Sequence, residues 1–151
     1  ELRIPVLHRA EALALLLETC TSTLVAGTHG KTTTSALTAI LLAAGKKNPW
    51  AFIGGHVPAF RGSFRSGDPK GIAVAEADES DGSFEKLPLD NLIVTNVEPE
   101  HLDYWKTPEK MMAAFRRVLN SVPEGRRHNF SDKYLFRRRK KTGRCYHRCR
   151  V

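Results

Sequence analysis

The chain reads as an α/β protein built on a mostly parallel sheet with helices on both faces. Three observations predict it. Short runs such as "TLVAG" (23–27) and "GIAVAEAD" (71–78) are continuously apolar, as strands buried on both faces must be. Segments of helical period stand between such runs. Polar clusters follow the runs, where open parallel sheets gather ligands at their carboxyl ends.

The elements follow in order. Residues 8–19 place Leu13, Leu16 and Leu17 at helical spacing, which predicts an amphipathic helix. "TLVAG" predicts the first strand. "TTTSALTAILLAA" (32–44) has helix length, and Gly45 is a plausible C-cap. "WAFIGG" (50–55) predicts a second strand, and "HVPAFRGSFRSGDPKG" a loop, because Gly, Pro and Ser dominate it. "GIAVAEAD" is a third strand that ends in acids. "NLIVTN" (91–96) is a fourth, ending in Asn96. In "TPEKMMAAFRRVLNSV" Thr107 is placed to cap a helix with Pro108 at its first position. Met111, Phe115, Val118 and Leu119 share one face of it, and Pro123 and Gly125 stop it.

A length of 151 residues with 41% hydrophobic residues suffices for one domain with a true core. No uncharged apolar run reaches the length of a bilayer span. The opening "ELRIPVLHRAEALALLLE" is broken by charge and does not read as a signal peptide, so a cytoplasmic location and no membrane partner are expected. Cys20, Cys145 and Cys149 are too few, and odd in number, for a disulfide framework. The formal charge of +8 hides an asymmetry. Residues 1–125 carry 13 Lys/Arg against 15 Asp/Glu, whereas residues 126–151 carry 11 against one. The composition breaks after Pro123-Glu124-Gly125, and the basic stretch beyond shows little helical period and no apolar face. It is expected to be disordered.

"VAGTHGKTTTSA" (25–36) crowds two glycines, a lysine and four threonines between a strand and a helix. A phosphate needs backbone N–H donors aimed at it. Gly27 and Gly30 let the main chain curl closely, and the following helix adds its free N–H groups and dipole. That dipole gives only about 0.3–2 kcal/mol, so the charge of Lys31 is needed to hold a triphosphate. Thr32 would offer its hydroxyl to Mg²⁺. Val25 stands where the strict P-loop pattern has glycine, leaving G-T-x-G-K-T, a shortened P-loop-type socket. "EADESDGSF" (76–84) places four carboxylates within six residues. Mg²⁺ takes one or two of them, and Glu76 at the strand end is the first candidate; Asp78, Glu79 and Asp81 lie further into the loop. "TNVEPEHLD" (95–103) collects Asn96, Glu98, Glu100, His101 and Asp103 after the next strand. A neutral imidazole such as His101 can ligate a metal or orient a phosphate oxygen. "CYHRC" (145–149) offers three zinc-type ligands and no obvious fourth, so no zinc site is expected there.

These three motifs, in this order, resemble the central ATP-binding domain of the Mur ligases. "IPVLHRAEALALLL" resembles the linker helix of that family, and "IGG" followed by "FRSG" resembles the stretch between its first two motifs. The resemblance covers residues 1–125. It implies a linker region at 1–22, a truncated central domain at 23–125, and a basic tail at 126–151 unrelated to the family. It also implies an amide-forming ligase of peptidoglycan precursor synthesis that uses ATP and Mg²⁺. The "EADESD" wording resembles the branch that takes UDP-N-acetylmuramate and L-alanine as substrates, with flanking N- and C-terminal domains as partners. On that resemblance Gly27, Thr28, His29, Gly30, Lys31, Thr32, Thr33 and Asn96 bind nucleotide. Lys31, Glu76 and His101 carry the chemistry. Thr32 and Glu76 hold a first Mg²⁺, and His101 a second near the acyl phosphate.

Other readings stay open. The ligase that reattaches recycled murein peptide shares these motifs, although it more often carries Tyr in place of Ser80. A nucleotide-binding module without catalysis would carry the same loop. Nucleic acid is not the expected partner, but "FRRRKK" (136–141) could meet its phosphates.

Overall fold

The computed structural model describes residues 5–123 in full and the backbone of 128–130 and 146–148. The elements are α1 (Arg9–Leu17), β1 (Thr21–Ala26), α2 (Lys31–Ala44), β2 (Trp50–Val57), β3 (Gly62–Arg65), β4 (Ile72–Glu76), β5 (Asn91–Val94), α3 (Leu102–Trp105), α4 (Pro108–Ser121), β6 (His128–Phe130) and β7 (Tyr146–Arg148). They form one sheet in the order β3-β2-β4-β1-β5-β6-β7. Every pair is parallel except β2 with β3.

β1 lies at the centre, with β4 and β5 as its neighbours. Val25 is opposite Glu76 on one side, and Ala26 is opposite Val94 on the other. The three carboxyl ends therefore finish level, side by side. Successive residues of β1 and β4 face opposite ways. Leu24, Ala26, Ala73 and Ala75 join the core beneath α1, α3 and α4, whereas Val25 and Val74 join the core beneath α2. Both faces of the central strands are covered, which is why they read as unbroken apolar runs. Phe84, Phe115 and Met111 are the bulk of the first core, and the Phe84 and Phe115 rings lie 5.0 Å apart.

Two expectations need correction. The segment expected as loop contains β3, an antiparallel edge strand. Phe64 lies opposite Phe52 in register, and the two rings pack at 5.4 Å, which outweighs the Gly and Ser around them. The expectation of disorder after residue 125 does not extend to β6 and β7, whose backbone continues the sheet in parallel beyond β5. The basic run 136–141, Cys145 and Cys149 lie outside the described residues.

α1 is fastened at its start. The His8 side chain accepts from the N–H of Ala10, and Glu11 accepts from the N–H of His8. Ion pairs of 3.6 Å from His8 to Asp81 and from Arg9 to Asp78, and one of 2.9 Å from Lys86 to Glu11, join this helix to the segment after β4. No helix among the described residues is long and apolar enough to cross a membrane.

Candidate functional site

The loop from β1 to α2 turns at two glycines. Gly27 has φ +127° and Gly30, at the helix cap, φ +81°, both in the region that a side chain disfavours. Gly27 is also pressed against the end of β5, where an added Cβ would stand 2.2 Å from Thr95 Oγ1. The first intrahelical bond runs from the N–H of Thr34 to the carbonyl of Gly30. By helix geometry the N–H groups of Lys31, Thr32 and Thr33 thus have no carbonyl within the helix to meet. Thr32 and Thr33 are exposed there.

The segment after β5 fixes the loop's backbone. Asn96 Oδ1 accepts from the N–H of His29 at 2.9 Å, and Asn96 Nδ2 donates to the His29 carbonyl at 3.3 Å. The Thr95 hydroxyl donates to the same carbonyl at 2.6 Å. Thr28 Oγ1 donates to the Glu98 carbonyl and accepts from the Glu98 N–H, at 3.2 and 2.9 Å. Thr28 and Asn96, expected to touch nucleotide, here hold the loop in shape. The His29 imidazole faces outward, 3.4 Å from Glu100 and 4.0 Å from Glu98.

Glu76 closes the other side. Its Oε1 accepts from the N–H of Gly54 at 2.8 Å and from Ser35 Oγ at 3.1 Å. Its Oε2 accepts from the Thr32 hydroxyl at 3.3 Å. One carboxylate oxygen is thus anchored, and the other stands with a hydroxyl at the start of α2. Two hard oxygens beside a phosphate socket suit Mg²⁺, which takes few protein ligands and keeps water or phosphate for the rest. Among the described residues no three His, Cys, Asp or Glu side chains gather as a complete metal cage. Thr32 and Glu76 fit the ion on their donor chemistry.

Lys31 lies deeper. Its ammonium donates to both oxygens of Glu79, at 3.1 and 3.0 Å, and to the carbonyls of Gly27 and Thr28, at 2.7 and 3.4 Å. The Glu79 side chain is 0% exposed and that of Lys31 16%. His101 sits at the start of α3 with φ +52°, and its imidazole lies 3.9 Å from Glu100.

The structure therefore brings Gly27–Thr33, Glu76 and Asn96 to one edge, with Lys31 beneath the loop. His101 belongs to the same edge by sequence position, and its imidazole lies beside Glu100. Sequence reasoning missed Glu79, Ser35 and Gly54. Glu79 stood in view inside an acidic cluster, but only tertiary structure selects it from its neighbours.

A family model described as the Mur ligase middle domain matches residues 25–144, past the composition break. The UDP-N-acetylmuramate–L-alanine ligase of Bradyrhizobium sp. (strain ORS 278) is 50% identical over 121 residues, covering 80% of this chain and 26% of that protein. The chain thus spans 26% of the length of that curated relative. The crystal structure of UDP-N-acetylmuramate-alanine ligase from Thermotoga maritima has a TM-score of 0.68 at 28% identity, covering 78% of this chain and 27% of that one. The murein peptide ligase of Psychrobacter arcticus 273-4 has a TM-score of 0.67 at 25% identity, covering 81% and 30%.

Proposed function

The chain belongs to the Mur ligase middle-domain family, and on that premise we propose that it is the ATP-binding part of a cytoplasmic ligase that joins L-alanine to UDP-N-acetylmuramate. The observation that carries the reading is the level finish of β1, β4 and β5. It sets a glycine-bounded loop, a lysine, a threonine–carboxylate pair and Asn96 at one edge.

The chemistry then follows from charge. The sugar nucleotide's carboxylate attacks the γ-phosphorus of ATP, the bond to the bridging oxygen breaks, and ADP leaves. The amine of L-alanine attacks the acyl phosphate carbon, phosphate leaves and the amine loses its proton. In the first step two anions must meet. At about 4 Å and an effective dielectric of about 20, each charge pair costs roughly 4 kcal/mol. Thr32 and Glu76 would hold Mg²⁺, which would supply the neutralising charge, and His101 would hold a second ion. The free N–H groups at the start of α2 and the Lys31 ammonium bind phosphate oxygens. Gly27, Thr28, His29, Gly30, Thr33 and Asn96 form and orient the socket. The protein's part is positioning and electrostatics.

Residue variants placed in a full-length ligase of this family test the assignment. Glu76→Ala should raise the Mg²⁺ concentration needed for activity. His101→Ala should depress acyl-phosphate formation more than ATP binding. Loss of ATP binding in His101→Ala, with the rate at saturating ATP intact, would place His101 in the nucleotide pocket instead. The similar overlay with the murein peptide ligase supports a second reading, in which a murein peptide rather than L-alanine supplies the amine. Assay of the full-length enzyme with UDP-N-acetylmuramate and L-alanine against free murein peptide separates the two.

A further inference from the structure

We propose that Glu79 is a positioning residue: it holds the Lys31 ammonium as an internal counter-ion and thereby sets how tightly the loop takes a nucleoside triphosphate. The inference rests on the reading of this loop as the nucleotide site and adds a residue to it.

Glu79 has no solvent to stabilise its charge, because its side chain is fully buried. Both its oxygens lie at hydrogen-bond distance from Lys31 Nζ, at 3.1 and 3.0 Å. Its backbone carbonyl accepts from Trp105 Nε1 at 3.0 Å and from the Gly82 N–H at 3.2 Å, so α3 and the acidic loop fix the residue from behind. The ammonium has three hydrogens. Four acceptors surround it, namely the two Glu79 oxygens and the carbonyls of Gly27 and Thr28. Its donors are thus fully engaged. A phosphate oxygen that reaches Lys31 must displace one of these acceptors and come close to a buried carboxylate. The carboxylate cannot turn to water in exchange. Glu79 therefore keeps the lysine in place beneath the loop and opposes the triphosphate for its charge.

The test is calorimetric titration of Mg·AMP-PNP into the whole chain, with and without Glu79→Gln. The amide keeps the shape and an acceptor for Lys31 but removes the competing charge. The expected result is affinity raised about tenfold, equivalent to about 1.4 kcal/mol, with a steeper fall of affinity in salt. The free variant should melt below the wild type. A merely structural glutamate would lower the melting point and leave affinity unchanged or weaker, and that outcome in a folded variant overturns the proposal. Should Glu79→Gln not fold, the crystal structure of the wild-type Mg·AMP-PNP complex decides. Lys31 Nζ bonded to a phosphate oxygen and to at most one Glu79 oxygen supports the proposal. Nζ still on both Glu79 oxygens, with no phosphate contact, overturns it while leaving the nucleotide site intact. Wild-type protein that binds no Mg·AMP-PNP overturns both this inference and the functional reading beneath it.

Discussion

Lys31 shows how one residue can serve two purposes. It is the partner of a buried carboxylate, and on the proposed function it is also the charge that meets a triphosphate. Truncating it to alanine leaves Glu79 unpaired in the interior, a loss of about 3–5 kcal/mol against a total stability of about 5–15. A weak-binding Lys31→Ala protein would therefore be hard to tell from an unfolded one. Gly54 offers a cleaner test at this scale. Its N–H anchors Glu76 at 2.8 Å, and an added Cβ would stand 2.7 Å from Glu76 Oε2. Gly54→Ala should push the carboxylate away from Thr32. The expected outcome is a several-fold rise in the Mg²⁺ concentration that half-saturates AMP-PNP binding, with affinity recovered at high Mg²⁺. An unchanged Mg²⁺ requirement would remove Glu76 from the metal site.

Among the elements, the segment after β4 links the site to α1. The Ser83 side chain is the main influence holding the Asp81 carboxyl below its ordinary 3.8, helped by the Ser83 N–H and by His8 and Arg9. Asp81 thus favours the folded state as an anion. Its contribution is complete above the unfolded value and is lost as pH falls through the lower folded one. Asp81→Asn should therefore narrow the stability gap to wild type as pH drops from 6 toward 3, read by urea unfolding. A gap that widens on acidification would contradict this. The exposed His8 and Asp81 side chains keep the effect small. Element-level legibility has a physical limit here. β1, β4 and β5 could be read because burial on both faces leaves an unbroken apolar run. β3 could not, because an edge strand needs only one good cross-strand pair, Phe52 with Phe64, and its Gly and Ser resemble a loop. That Lys31, Thr32 and Glu76 lie at one edge of the sheet could be read from their places beside strand ends. Glu79 and Ser35 could not, since the pairing of Lys31 with Glu79 spans 48 residues and that of Ser35 with Glu76 spans 41.

For the molecule as a whole, the division after residue 125 remains our proposal, with the family match running to residue 144. Among the described residues, the part beyond it contributes two strands of three residues each at one side of the sheet. Ending the chain at Gly125 should leave cooperative unfolding and shift the melting temperature by no more than about 4 °C, or ~1 kcal/mol at this size. A larger drop would make the stretch an integral part of the domain. The central claim concerns the edge where β1, β4 and β5 finish. It is met most directly by calorimetric titration of AMP-PNP into the 151-residue chain, in Mg²⁺ and in EDTA, with a Lys31→Met, Glu79→Gln double variant as the charge-free control. The double variant removes both charges together, so neither is left buried alone. The predicted result is binding at one site that requires Mg²⁺ and is lost in the folded double variant. Absence of binding by the wild type, or equal affinity in EDTA and in the double variant, would contradict the account.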